Sequence, residues 1–280
     1  IMKKIIINFF LLIIILSVSL ISILSTFGIE TNKFNNIISS NAAKTKNINL
    51  DLDTIKFKID LKELSLFLET KNPKVTYREI FVPIKNIKVY IDFLPLLKSK
   101  TTIKKISIIL EELDISQLSK LSLIIKPSNL KSILNNKIKE GKLISEIDLF
   151  LNEQGSLKDF IARGSVDNLN IELVNDLNFN NGNLSFFADK NDILIKNIFG
   201  LLEDIKISDG DIKLNLEDGI KLNSNFYSKI NFDEQVTKKY TRFLKNYNLV
   251  KGLKILKADL NNNLSIELDD TYKVKDYNYS

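Results

Sequence analysis

Asp209, Asp211 and Glu217, within "SDGDIKLNLEDG", are the nearest this 280-residue chain comes to a calcium-binding run. A helix–loop–helix calcium loop needs oxygen-bearing side chains at its first, third and fifth positions and Gly at the sixth. Counted from Asp209, the fifth position is Lys213 and the sixth Leu214; counted from Asp189 and Asn191, the fifth is Ile193. These residues read instead as turn chemistry. Glu111, Glu112 and Asp114 could supply carboxylates for acid–base work. On a strand, however, Glu112 and Asp114 share one face while Leu113 and Ile115 take the other, which is the pattern of solvated side chains. Ser165, in "ARGSVDN", has Arg163 and Asp167 nearby but no base to activate it. No glycine-rich phosphate loop follows a strand.

Composition narrows the chemistry further. The chain has no His and no Cys, so the commonest general base, the commonest transition-metal ligand, a thiolate nucleophile and a disulfide framework are all missing. The residues therefore point away from an enzyme and assign no catalytic, cofactor or metal site. Of the 40 basic residues only Arg78, Arg163 and Arg242 are Arg, and the lysines are scattered, often alternating with apolar residues. That is the wet face of a strand rather than an Arg-rich nucleic-acid footprint, so no nucleic-acid partner is expected.

The elements behind these residues are mostly strands. Period-two alternation runs through Ile48-Leu50-Leu52, Ile55-Phe57-Ile59, Leu64-Leu66-Leu68, Val75-Tyr77, Val82-Ile84, Val89-Ile91 and Ile106-Ile108-Leu110. It resumes at Ile147-Leu149-Leu151 and continues through Leu184-Phe186, Ile193-Ile195, Ile212-Leu214-Leu216 and Leu264-Ile266-Leu268. Such patterning predicts antiparallel strands with one apolar and one wet face. Asn181-Gly182, Asp209-Gly210 and Asp218-Gly219 predict tight hairpin turns. Gly164, Gly182 and Gly200, spaced every 18 residues, suit units of two nine-residue strands. Two segments change period: 128–140, with Ser128 as cap and Gly141 as stop, and 234–250, with Asp233 as cap and Gly252 as stop, predict amphipathic helices packed on a sheet.

Ahead of the strands, residues 5–27 carry no charge and follow Lys3 and Lys4. Twenty-three residues reach about 34 Å as a helix, enough to cross a hydrocarbon core, and no small-x-small cleavage site ends them. An uncleaved single-pass anchor with a cytoplasmic N-terminus is expected, with the bulk on the far side of an inner membrane, in the periplasm. Ile1 ahead of Met2 fits a fragment or a mis-read start. The expected organisation is an anchor over 1–30, a linker or helix continuation over 31–47, and a β domain over 48–280. Within that domain, strands over 48–126, 143–232 and 253–280 flank the two helices.

The stretch "IKNIKVYIDFLPLLKSKTTIKKISIILEELDI" reads as a strand, a Leu-rich turn and a returning strand. Leu94, Leu96 and Leu97 form the turn; Ile103, Ile106 and Ile108 begin the return. This resembles the region after the N-terminal anchor in AsmA-like proteins of Gram-negative bacteria. The later "FIARGSVDNLNIEL" and "GNLSFFADKNDILIKNIFGLLEDIKISDGDIKLNL" resemble the strand repeats of the YhdP/TamB-type members. The resemblance implies a bridge-like lipid transport protein, mainly β: a long curved antiparallel sheet forming a groove that carries phospholipid acyl chains between inner and outer membranes. Ile87, Val89, Ile91, Ile106, Ile108 and Leu110 are the expected groove lining. Membrane lipid, the inner membrane through residues 5–27 and other envelope proteins are the expected partners. Read from the residues alone, the same apolar face could close on itself as an ordinary core of a membrane-tethered structural domain.

Overall fold

The structure, a computed structural model, describes residues 2–32, 35, 39, 48–62, 65–91, 102–122, 136–173, 177–216, 220–241, 253–269 and 274–280. The chain is mainly β: its strands pair antiparallel into one large open sheet, accompanied among the described residues by helices α1 (Met2–Thr26), α2 (Ile115–Ser122) and α3 (Glu234–Thr241). Chain contacts divide it into two compact units, residues 1–111 with 146–160, and residues 112–145 with 161–280. Two of the boundaries, 145/146 and 160/161, fall inside continuous strands, and the third, 111/112, falls between two strands.

The first unit begins with helix α1 (Met2–Thr26), whose stretch Ile6–Thr26 is long and apolar enough to cross a membrane. Its apolar side chains are exposed until Leu24, which is buried. The helix stops where Gly28 takes φ +72°, and the N–H groups of Phe27 and Gly28 both donate to the Ile23 carbonyl. Strand β1 (Ile29–Thr31) follows at once and pairs with β3 (Ile55–Asp60), placing Ile29 opposite Phe57. Helix α1 itself ends at Thr26, and β1 separates it from the 31–47 segment expected as a linker or helix continuation. Asn35 donates its side-chain amide to the carbonyls of Leu52 and Asp53; the rest of 33–47 lies outside the described residues, Ser39 excepted.

From β3 the ladder runs through β4 (Ser65–Lys71), β6 (Ile80–Ile91) and β7 (Ile103–Leu110) to the C-terminal half of β9 (Ile138–Leu151). Register puts Phe57, Leu68, Val89, Ile106 and Leu149 in one cross-strand row, and Ile55, Thr70, Ile87, Ile108 and Ile147 in the next. A second layer comes from β2 (Ile48–Asp51), which pairs with β5 (Lys74–Tyr77). The β5–β6 hairpin turns on Arg78 and Glu79, both at positive φ, a geometry neither residue type advertises. The turn expected at Leu94-Pro95-Leu96-Leu97 lies outside the described residues.

The second unit opens with β8 (Leu113–Asp114) and helix α2 (Ile115–Ser122). Asp114 and Gln117 cap the helix reciprocally: each side chain accepts the other's backbone N–H. Residues 138–140, expected to close a helix, instead start β9, and Gly141 lies inside that strand; 128–135 lie outside the described residues. Beyond β9 come β10 (Leu157–Glu172), β11 (Asn178–Ala188), β12 (Asp192–Leu202), β13 (Ile205–Asn215), β14 (Ile220–Phe232), β15 (Leu256–Leu268) and β16 (Val274–Tyr279), each neighbouring the next. Helix α3 (Glu234–Thr241) follows β14, and Asp233 caps it by accepting the N–H groups of Gln235 and Val236. Its expected continuation to 250 lies outside the described residues.

Two of the predicted hairpin turns are not turns. Asn181-Gly182 sits in mid-β11 and Asp209-Gly210 in mid-β13; Asp218-Gly219 lies outside the described residues. Asn168, Asn181, Asn197 and Asp209, one on each of four adjacent strands, take φ of +52 to +55°, and the register of each neighbouring pair slips there. They form a file of β-bulges across β10–β13. Each bulge adds an unpaired residue and sharpens the local twist. The positive φ that makes Asn-Gly a hairpin turn serves a bulge equally well.

Candidate functional site

Both units carry an apolar face built by the same alternation, and the two faces end differently. In the first unit, Leu50 and Leu52 of the β2 layer face Ile55, Leu68, Ile87 and Val89 across a void of only about 50 Å³. Ile55 is 2 % exposed, and Leu66, Ile84 and Ile91 are buried as well. This is a covered core. Of the six residues expected to line a groove, Ile87 and Val89 border that void, Ile91 is buried, and Ile106, Ile108 and Leu110 are half-buried. Register places Val89 opposite Ile106 and Ile87 opposite Ile108.

In the second unit no strand layer lies over the face among the described residues. One cross-strand row runs Phe186, Ile195, Ile212, Ser224, Leu264, Tyr279, and the next runs Ala188, Ile193, Leu214, Leu222, Ile266, Tyr277. On the opposite face, Lys213, Asn223, Ser265 and Asn278 make a polar row. Along β14 the alternation is plain: Lys221, Asn223 and Asn225 are exposed, while Leu222, Ser224 and Phe226 are half-buried. These apolar side chains share a single hollow of about 430 Å³ that draws lining from every strand between β10 and β15, Leu169 and Ile171 at one side, Leu264 and Ile266 at the other. Six strands cross about 24 Å at about 4.8 Å spacing.

Aromatic rings shape one flank of the hollow. Phe179, buried, lies across two glycines: a Cβ at Gly200 would stand 2.5 Å from Phe179 Cζ, and one at Gly182 would also collide with the ring. The 18-residue glycine spacing therefore marks seats for a ring, not hairpin ends. Along β14 and β15 the lining stops at a polar knot. Asn262, 4 % exposed, donates to Ser228 Oγ at 3.0 Å and to the Phe226 carbonyl, and its Oδ1 accepts the Tyr279 hydroxyl at 2.7 Å. Every polar atom of that side chain is engaged, so the knot is structural.

Several of the charged residues weighed for chemistry are engaged in local structure. Glu112 pairs with Lys142 at 2.7 Å, Asp114 caps α2, and the Asp189 carboxylate accepts the N–H groups of Asn191 and Asp192 in the β11–β12 turn. Those two bonds, foremost that from Asp192, hold the Asp189 carboxyl below its ordinary range. Asp211 accepts the Asn197 N–H beside the bulge, Ser165 pairs across with Ser185, and Glu217 lies outside the described residues. The first unit's polar face buries two carboxylates, Glu69 and Asp148, in one cross-strand row. Glu69, 6 % exposed, is ion-paired with Lys58 at 2.7 Å and receives the Asn86 amide at 2.7 Å. Burial pushes its pKa up, but Lys58 and Asn86 outweigh that and leave it lowered.

Compared with protein-family models, with curated proteins and with solved structures, the chain matches none.

Proposed function

We propose that the chain is a membrane-anchored lipid-binding protein that holds acyl chains against the open apolar face of its second unit. The observation that carries this reading is the hollow of about 430 Å³ lined from six strands almost wholly by apolar side chains that remain half-buried. Burying an acyl chain of about 16 methylenes there would contribute roughly 13 kcal/mol at about 0.8 kcal/mol each. Helix α1 supports a membrane location, and Lys3 and Lys4 ahead of it favour a cytoplasmic N-terminus with both units in the periplasm. In this reading the first unit is the mount: β1 ties the end of the anchor directly to its sheet. Carriage of phospholipid between inner and outer membranes follows from the resemblance to AsmA-like proteins.

The covered core of the first unit favours a second reading, a tethered structural or interaction domain whose second-unit face is covered by an envelope protein. The two are separated by a photoreactive p-benzoylphenylalanine at Ile212 or at Lys213 of the full chain in native membranes. Lipid binding gives a lipid adduct at 212 and none at 213. A protein adduct at 212, with no lipid, establishes the second reading.

A further inference from the structure

The anchor and the first unit are joined without slack, which fixes how close the unit stands to a bilayer. The apolar stretch Ile6–Thr26, 21 residues at about 1.5 Å each, reaches about 31 Å and is used up by a hydrocarbon core of about 30 Å. Only Phe27 and Gly28 separate it from β1, and both are bonded back to the Ile23 carbonyl. Gly28 has no room for a side chain: a Cβ there would stand 2.7 Å from Lys58 Cγ and 2.9 Å from the Phe57 carbonyl oxygen. In the last turn of α1 Leu24 is buried, and the helix packs along β3.

Register shows which end of this sheet meets the membrane. β3 runs antiparallel to β1 with Phe57 opposite Ile29, so its last residue, Asp60, stands about 10 Å back towards the span. Thr26, three residues ahead of Ile29, lies at most about 11 Å away. The β3–β4 turn thus comes down level with the end of the span. Leu66 opposite Ile91, and Ile91 opposite Ile103, bring the next strand ends to the same side. Lys105 opposite Phe150 brings the end of β9 there too, and β10 starts from it at Leu157. Outside α1, the exposed large apolar side chains of the first unit, among the described residues, are Phe27, Ile29, Leu61, Phe81, Ile103 and Leu157. Five of the six stand at the anchor end; Phe81, beside the Arg78-Glu79 turn, stands at the other. Two acids near the junction are engaged, Glu30 with Lys56 at 2.8 Å and Asp60 with the Lys62 N–H, while the Lys62 side chain is exposed. Glu63 lies outside the described residues.

We propose that the first unit is seated in the headgroup layer of the membrane its anchor spans, a seating that rests on the anchor of the reading above and not on what the second unit binds. Phe27, Ile29 and Leu61 enter the boundary between headgroups and acyl chains, a zone about 5–10 Å deep, and Lys62 meets the lipid phosphates. The anchor then sets the unit's orientation as well as its attachment.

The chain has no cysteine, so Leu16→Cys, Leu61→Cys and Phe81→Cys each take a single nitroxide label. The full chain is reconstituted in phosphatidylcholine vesicles containing some phosphatidylglycerol, and paramagnetic resonance reads collision of each label with oxygen and with a water-soluble nickel chelate. Positions 61 and 81 are similarly exposed, 53 % and 55 %, so the label itself biases neither. The expected result is a label at 16 in the hydrocarbon core, and one at 61 open to oxygen but at least about ten-fold less open to nickel than the label at 81. Equal nickel accessibility at 61 and 81, with 16 in the core, overturns the seating and leaves the anchor standing. A label at 61 closed to both reagents is covered by protein rather than lipid and also overturns the seating. A label at 16 open to nickel overturns anchor and seating together.

Discussion

The two units carry nearly the same surface and use it differently. Ile87, Val89, Ile106 and Ile108 in the first, and Ile195, Ile212, Leu222 and Leu264 in the second, occupy equivalent in-facing positions of antiparallel ladders. What separates them is one short layer. The β2–β5 pair brings Leu50 and Leu52 over the first face and reduces the space to about 50 Å³, while the second face keeps about 430 Å³. Of the twelve buried apolar side chains among the described residues, eight belong to the first unit and four to the larger second, although Leu24, Phe67 and Tyr90 of the eight lie away from the β2 layer. An alternating strand specifies a face; whether that face becomes a core or a binding surface is decided by a segment elsewhere in the chain.

That contrast can be broken most forcefully with a buried charge. Ile55→Asp should destabilise the protein by about 4 kcal/mol, because the carboxylate is trapped under the β2 layer. Ile212→Asp, on the face that no described strand covers, should cost about 1 kcal/mol. Thermal unfolding followed by circular dichroism compares them, and equal losses would mean that the second face is covered too. Next in size, Glu69→Gln should cost about 1–2 kcal/mol at pH 7 by leaving the half-buried Lys58 without its ion-pair partner. The sign with pH is fixed by the lowered pKa of Glu69. Its contribution is full above the ordinary value of 4.5 and is lost as pH falls through the lower folded value. The difference between wild type and Glu69→Gln should therefore shrink in acid, and a difference that grows in acid would contradict the ion pair.

Effects of similar size or smaller sharpen the second unit alone. Gly200→Ala should cost about 1–3 kcal/mol by pushing on the Phe179 ring. Phe179→Leu should relieve most of that penalty in a double-mutant cycle. Additive losses would show that the ring does not rest on the glycine. Least of all, Ser224→Phe should change stability by less than about 1 kcal/mol, since it adds apolar surface to a face with space to receive it. A loss of several kcal/mol would show the hollow to be filled already.

Much of this was legible in the residues themselves. Alternation marked nearly every long strand, Asp233 announced α3, and the pairing of Val89 with Ile106 and Ile87 with Ile108 was implicit in the 87–110 pattern. Local geometry with two uses was misread: Asn181-Gly182 and Asp209-Gly210 signal positive φ, which both hairpins and bulges need, and only the partner strand distinguishes them. The Arg78-Glu79 turn carries no turn chemistry to read. Helix α2 had a legible signal in Asp114 and Gln117, masked by the strand-like alternation just before it. The candidate site moved for a reason outside local sequence. Nothing in Ile87 or Val89 says that Leu50 and Leu52, more than 30 residues earlier, will sit over them.

The chain contains no cysteine, so a single introduced thiol reports on its own position without competition. The most direct measurement compares maleimide modification rates of Ile87→Cys and Ile212→Cys in the full chain, each with and without 16-carbon lysophosphatidylcholine. The open second face predicts that Ile212→Cys reacts at least about ten-fold faster and that lipid slows it while leaving Ile87→Cys unchanged. Equal rates for the two thiols, or a thiol at 212 indifferent to lipid, would contradict the account.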